Sequence, residues 1–170
     1  MDYYQTVVVE YLRADRSIFV NTECWIRLDR VPEPGKNRSW YCDALAINLR
    51  KGGAATIYLV EVSYAQKLGA LFKRLAAWNS QWAYVCKALV EECNVPHNWD
   101  VRPWLFIPTK SIQIAVDRVG RICGVGQPGQ MPFPLITPLE MTVPWEYRTW
   151  DREGERVEDK PAAIPDNMRQ

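Results

Sequence analysis

The chain has 170 residues, 48% of them apolar, and a formal net charge of +1. This length allows one domain with a proper hydrophobic core, and the composition excludes a disordered chain. The near-neutral charge excludes a strongly basic protein, so any electrostatic attraction to nucleic acid has to be local.

The chain has one histidine and five cysteines, none of them in a CxxC pair. A multi-histidine metal site is therefore excluded, and the cysteines are expected to be free, mostly buried thiols. The sequence contains no signal peptide and no apolar segment of membrane length. We therefore expect a cytoplasmic protein with no membrane contact.

The first elements along the chain are a helix and a strand. Apolar residues at helical spacing over residues 3–14 predict a short amphipathic helix. Residues 17–28 are predicted as the first strand, and residues 29–39 as a turn-rich loop with three bases.

Two further strands are predicted over residues 40–49 and 56–63. A Gly-Gly turn separates them, which is typical of a hairpin. Each strand is apolar apart from one central acid, Asp43 in the first and Glu61 in the second. We expect the two acids to lie on adjacent strands, on the same side, at one rim of a mixed sheet.

A long amphipathic helix follows. Apolar residues recur at intervals of three and four from roughly residue 65 to 93 and predict one continuous helix. Residues 101–108 are predicted as a strand, in which Pro103 favours a strand start or an edge. Residues 111–116 and 121–125 are predicted as a hairpin.

The composition changes at residue 126, where prolines become frequent before a charged end. We expect an α/β domain over residues 1–125, and an extended arm with a flexible charged tail over residues 126–170. Strands joined by a crossover helix predict a mixed sheet of the α+β kind, with helices packed on its faces.

Asp43 and Glu61 are the most informative residues for function. A carboxylate inside an apolar strand is costly to bury unless it is paired, protonated or bound to a cation. Two carboxylates on neighbouring strands can share one divalent ion through their oxygens. A buried ion pair would explain the same pattern.

The order helix, three strands, helix, strand, with Asp43 in the second strand and Glu61 in the third, resembles the PD-(D/E)XK nuclease-like superfamily. This superfamily includes restriction endonucleases, recombination nucleases and Holliday-junction resolvases. The resemblance covers roughly residues 3–108 and implies a restriction-endonuclease-like αβββαβ core. It also implies a Mg²⁺-dependent hydrolase of phosphodiester bonds in DNA or RNA, of the kind found in defence systems and mobile elements.

The resemblance assigns roles to individual residues. Asp43 and Glu61, together with the carbonyl of Val62, would bind Mg²⁺. The ion would polarise a phosphodiester and lower the pKa of a bound water for in-line attack. On the helix after the triplet, Gln81 and Tyr84 match a glutamine and a tyrosine that some members use for substrate binding.

The triplet departs from the family pattern, because Ser63 stands where the lysine is expected. Serine cannot supply the positive charge that stabilises a phosphate in the transition state. In this superfamily the lysine is sometimes displaced onto the following helix, where Lys67 is the nearest candidate for the catalytic cation. Glu10 matches a glutamate that the family often adds on the first helix.

The alternative is a catalytically inactive nuclease-fold protein that serves as a protein-interaction or scaffold subunit. Its Pro/Trp-rich segment, residues 126–150, would then contact the partner protein. Ser63 favours this alternative, and the Asp43–Glu61 pair favours the nuclease.

Overall fold

The structure is a computed structural model that describes five stretches of the chain. They are residues 2–27, 39–49, 55–65, 67–123 and 129–143. Within these stretches, no helix has both the length and the apolar character needed to cross a membrane.

The described residues form helices and strands in the order αβββααβαβ. The helices are α1 (Tyr3–Arg13), α2 (Gly69–Ser80), α3 (Trp82–Cys93) and α4 (Ile112–Ile122). The strands are β1 (Ile18–Arg27), β2 (Ser39–Leu49), β3 (Ala55–Val62), β4 (Asp100–Ile107) and β5 (Leu135–Pro138). Short 3-10 turns follow β4 and β5, at Thr109–Ser111 and Leu139–Thr142.

The strands form one mixed sheet in the order β1-β2-β3-β4-β5. The pairs β1–β2 and β2–β3 are antiparallel, whereas β3–β4 and β4–β5 are parallel. Parallel neighbours need a crossover, which α2 and α3 provide between β3 and β4, and α4 provides between β4 and β5. The mixed sheet with helices on its faces agrees with the predicted α/β class.

Helices cover both faces of the sheet. On one face, α1 buries apolar side chains against β2, β3 and β4, including Val8, Tyr11, Leu12, Ala46, Tyr58 and Trp104. On the other face, α2, α3 and α4 pack on Leu45, Ile57, Leu59, Leu105 and Ile136. The predicted core positions on α2 and α3 are confirmed as buried: Leu71, Leu75, Trp78, Trp82, Val85 and Leu89.

The predicted single helix over residues 65–93 is wrong, because α2 ends at Ser80 and α3 begins at Trp82. Gln81 lies between them with φ −128° and ψ 25°, outside helical geometry. Two polar side chains just before the break bond to carbonyls: Ser80 Oγ donates to Ala77 O, and Asn79 Nδ2 donates to Ile122 O. The local bond of Ser80 competes with the regular helix, and the bond of Asn79 joins the end of α2 to the end of α4. The apolar spacing continues across the break.

The predicted hairpin over residues 111–125 is also wrong, because residues 112–122 form helix α4. Ile112, Ile114 and Val116 alternate in the sequence, which suggested a strand. The buried residues are instead Ile112, Ala115, Val116 and Val119, at helical spacing, and the Ile114 side chain is 60% exposed.

Part of the predicted arm belongs to the sheet. Residues 135–138 form β5, which pairs with β4 from Trp104 to Ile107. Trp104 Nε1 also donates to Thr137 Oγ1 at 2.9 Å, which joins the two strands through buried side chains. The folded unit therefore continues past residue 125, and residues 144–170 lie outside the described part of the chain.

Candidate carboxylate site

Asp43 and Glu61 lie on adjacent strands, as their sequence positions predicted. The last aligned pair of β2 and β3 towards the carboxyl end of β3 is Ala44 with Val60. Asp43 and Glu61 are the next residue on each strand and so occupy facing positions. The Val62 amide donates to Asp43 Oδ2 at 2.7 Å. A side chain of β2 thus bonds to the backbone of β3 where the paired ladder ends.

A glutamine from α1 holds the other oxygen of Asp43. Gln5 Nε2 donates to Asp43 Oδ1 at 2.6 Å. Gln5 is itself positioned by a capping box, in which its side chain accepts from the Asp2 amide and its own amide donates to Asp2 Oδ1. The start of α1 therefore orients the carboxylate of Asp43.

Asp43 is only 8% exposed, and this burial raises the pKa of its carboxyl group. The hydrogen bond from Val62, the positive charge of Arg74 and the hydrogen bond from Gln5 each lower this pKa, but burial dominates. The carboxylate of Asp43 is thus harder to ionise than that of a solvated aspartate.

Glu61 is completely buried, and its partner is an arginine on α2. Arg74 Nη2 lies 2.5 Å from Glu61 Oε2. Burial raises the pKa of Glu61 to about 8; the positive charge of Arg74 opposes this shift, and the nearby charge of Asp43 adds to it. Among the described residues, Glu61 Oε1 has no hydrogen-bond partner.

The prediction that both carboxylates lie on the same side of the sheet is not confirmed. They are contacted from opposite faces, since Gln5 belongs to α1 and Arg74 to α2. Cys42 packs in the layer of α2, α3 and α4, whereas Ala44 packs in the layer of α1. Side chains two residues apart normally share a face of a strand. The alternation of β2 side chains between the two faces of the sheet is therefore interrupted at Asp43.

The cation beside Glu61 is Arg74, not the predicted Lys67. Lys67 precedes α2 by two residues, its side chain is exposed, and its carbonyl accepts a hydrogen bond from the Gly69 amide. The predicted location of Lys67 within the first turn of the helix is therefore wrong. A signal for Arg74 was present, since it lies three residues after Leu71 and four before Trp78, on the buried side of α2.

The remaining predicted residues lie elsewhere on the helices. Glu10 is on the exposed side of α1, where it pairs with Arg13 at 2.9 Å. Gln81 is at the break between α2 and α3. Its backbone amide and carbonyl form hydrogen bonds with the backbone of these two helices. Tyr84 is half-buried and packs against the core beneath α2 and α3. Gln5, which the sequence did not single out, is the residue of α1 that contacts Asp43.

A cavity lined by tyrosines lies at the same rim of the sheet. It has a volume of about 330 Å³, and its lining includes Tyr3, Tyr4, Tyr64, Lys110 and Glu140. The rings of Tyr4 and Tyr64 stack with centroids 4.5 Å apart and an angle of 26° between their planes. We call this feature the tyrosine cavity. It lies where β3, β4 and β5 end, the edge at which parallel sheets commonly bind ligands.

The buried Oε1 of Glu61 is the observation that bears on a cation. A buried acceptor without a donor is costly, and a hard divalent ion prefers carboxylate and carbonyl oxygens. Asp43 and Glu61 would supply carboxylate oxygens to such an ion, and Val62 would supply its carbonyl. Within the described stretches, no group of three His, Cys, Asp or Glu side chains is arranged to hold a metal. A bound Mg²⁺ would therefore rely on two carboxylates, on backbone and on water.

Comparison with known proteins gives no assignment: no family model, curated protein or solved structure matches this chain.

The raised pKa of Glu61 predicts a stability that falls as the pH rises. The folded protein keeps the proton up to about pH 8, whereas an unfolded chain loses it near 4.5. Between these values the folded state binds more protons at Glu61, so this residue should lower the free energy of unfolding by up to about 1.4 kcal/mol per pH unit. Because the lowered pKa of Cys24 acts in the opposite direction above about pH 6, the contribution of Glu61 is the difference between the slopes of Glu61→Gln and wild type in urea unfolding between pH 5 and pH 8.

The matched controls are Glu61→Gln, which removes the titrating group, and Glu10→Gln, which removes an exposed carboxylate. Glu61→Gln should remove the falling contribution from the dependence on pH, and Glu10→Gln should leave the dependence unchanged. An equal slope in wild type and Glu61→Gln would contradict the assignment of the proton to Glu61.

Proposed function

We propose that the protein is a PD-(D/E)XK-like, metal-dependent nuclease that hydrolyses phosphodiester bonds in DNA or RNA. The observation that carries the proposal is the pair of buried carboxylates, Asp43 and Glu61, at facing positions of β2 and β3. Burial raises the pKa of both groups, and such perturbed acids cluster at functional sites. The order of elements from α1 to β4 is αβββααβ, which differs from the order that the resemblance implies by the division of the crossover helix into α2 and α3.

Mg²⁺, when bound, supplies the Lewis acid that polarises the phosphodiester and acidifies an attacking water. The chain supplies the surroundings. Asp43 and Glu61, with the Val62 carbonyl, would hold the cation, and Gln5 keeps the Asp43 carboxylate oriented. Glu61 must release its proton to bind a cation, so the two compete for the same carboxylate.

Arg74 supplies the positive charge that the triplet lacks at Ser63. Its guanidinium reaches the carboxylate of Glu61 from α2, and its side chain remains 36% exposed. A partly exposed guanidinium next to the metal-binding acids can also meet a phosphate oxygen, for which its planar donors are well suited. Arg74 would then stabilise the charge that develops on the attacked phosphate.

The tyrosine cavity provides a surface for the nucleic acid beside the carboxylates. Tyr3, Tyr4 and Tyr64 are exposed, although large aromatic side chains are usually buried. Exposed aromatic rings bind unpaired bases by stacking, without a preference for sequence. Lys110 at the cavity adds a positive charge for the backbone of the strand. This surface supports a substrate with unpaired bases near the cut.

The experiment is a cutting assay with purified protein on single-stranded, duplex and branched DNA and on the matching RNAs. Each substrate is tested with Mg²⁺, with Mn²⁺ and with a chelator present. We expect metal-dependent cutting, strongest on substrates with unpaired bases. Absence of cutting on every substrate with either metal would overturn the nuclease proposal.

A second candidate is a nuclease-fold protein without catalysis, which serves as a scaffold or interaction subunit. The observation that favours it is the contact of Arg74 with Glu61, because the guanidinium lies against a carboxyl oxygen that the metal would need. Metal titration followed by tryptophan fluorescence distinguishes the candidates. A nuclease site should bind Mn²⁺, whereas a scaffold should give the same fluorescence with metal and with chelator.

A further inference from the structure

Three thiols lie together where the edge strand β1 meets the end of α3. Cys24 and Cys93 have their sulfur atoms 3.6 Å apart. Cys42, which pairs with Cys24 across β1 and β2, donates from its Sγ to the Cys24 carbonyl at 3.7 Å. Cys24 and Cys42 are buried, and Cys93 is half-buried. The proposed nuclease function uses none of these thiols.

We propose that Cys24 and Cys93 are a site of oxidative modification, at which a small two-electron oxidant such as hydrogen peroxide forms a disulfide. The two sulfur atoms need to approach by about 1.5 Å to reach the bond length of about 2.05 Å. Cys93 is the last residue of α3, and Asn94 after it ends the helix in the left-handed conformation with φ 52°. A side chain at a helix end can make this small movement without disturbing the helix interior.

The chemistry assigns different roles to the two thiols. The Cys24 thiolate attacks one peroxide oxygen and breaks the O–O bond, which leaves a sulfenic acid on Cys24 and releases hydroxide that is protonated to water. The Cys93 sulfur then attacks Cys24 Sγ and displaces the hydroxyl group, which leaves as a second water with the Cys93 proton. The two thiols lose two electrons in total, and the peroxide oxygens accept them.

The surroundings of the thiols favour this order. The neighbouring side chain of Cys42, with a smaller effect from that of Cys93, lowers the pKa of Cys24 to about 6, although burial opposes the shift. Burial raises the pKa of Cys93 to about 12. Cys24 is therefore the thiolate that reacts with peroxide, and Cys93 is the thiol that resolves the sulfenic acid.

The bond would join β1 to α3 next to the carboxylate site. Cys24 is paired with Cys42, and Cys42 is the residue before Asp43. The disulfide would close the loop between two cysteines that are 69 positions apart in the sequence. Such a loop restricts the unfolded chain, so the oxidised protein should unfold at a higher temperature than the reduced protein.

The test treats reduced, full-length protein with hydrogen peroxide and counts free thiols after denaturation. The number of free thiols should fall from five to three. Peptide mapping without reductant should identify a Cys24–Cys93 crosslink that dithiothreitol reverses, and the midpoint of thermal unfolding should rise. Five remaining thiols, or a crosslink between any other pair, would overturn the proposal.

The chain offers matched variants for this test. Cys93→Ser should abolish the crosslink, whereas Cys86→Ser and Cys123→Ser should leave it unchanged. Cys42→Ser should slow the oxidation by about tenfold, because it removes the sulfur that lowers the pKa of Cys24. A crosslink that persists in Cys93→Ser would contradict the assignment, and peptide mapping of the wild type decides it even if a variant fails to fold.

Discussion

Glu61→Gln is expected to lower the rate of phosphodiester cutting by at least about a hundredfold while the protein stays folded. The amide keeps the shape of the side chain but removes the negative charge that would attract the cation. Burial raises the pKa of Glu61 to about 8, so an uncharged replacement suits its buried position. Cutting rates, with circular dichroism as the check on folding, measure the effect.

Glu10→Gln is the matched control, because it makes the same chemical change on the exposed side of α1. Its cutting rate should equal that of the wild type. A loss of cutting in both variants would mean that net charge, and not the Asp43–Glu61 site, controls the reaction. Full activity in Glu61→Gln would remove Glu61 from the mechanism.

The same assay compares the two candidate cations. Arg74→Ala should slow cutting more than Lys67→Ala does, because Arg74 contacts Glu61, whereas Lys67 is exposed ahead of α2. Arg74→Lys should restore part of the rate, since it returns the charge without the planar pair of donors. A larger loss in Lys67→Ala would support the role that the resemblance implies for that residue.

Leu75→Ala is expected to destabilise the folded protein by about 2–5 kcal/mol. Leu75 is fully buried on α2 and belongs to the core between the sheet and the helices α2, α3 and α4. Its loss leaves a cavity that close-packed neighbours cannot fill completely. Urea unfolding of wild type and variant at one pH gives the difference in free energy.

Ile114→Ala is the control for the loss of aliphatic carbon, because Ile114 is 60% exposed on α4. Its effect should stay within about 0.5 kcal/mol. A change below about 1 kcal/mol in Leu75→Ala would mean that this side of α2 does not carry the core.

Much of the fold can be deduced from the sequence, because apolar periodicity is a local property. The spacing of Leu71, Leu75 and Trp78 indicates which side of the helix is buried, and the structure confirms it. The apolar strands around Asp43 and Glu61 indicate a sheet with one acid on each of two neighbouring strands. These features depend on residues that are close along the chain.

The sequence pattern gave a wrong prediction where the same residues fit both the period of a strand and the period of a helix. Ile112, Ile114 and Val116 fit the alternation of a strand. In helix α4, however, Ile112 and Val116 are buried together with Val119. The break at Gln81 has the opposite cause, because the apolar spacing continues through it while Ser80 and Asn79 bond to carbonyls. Packing against the sheet decided the first case, and side-chain bonds at the end of α2 decided the second.

The composition of the site was decided by tertiary structure. Gln5 reaches Asp43 across 38 residues of sequence, and Arg74 meets Glu61 only because α2 folds back over β3. The proximity of Cys24 to Cys93 likewise depends on where α3 ends beside β1. Contacts of this kind follow from strand register and from how helices pack on the sheet. Both are set by the whole core, so no local sequence pattern contains them.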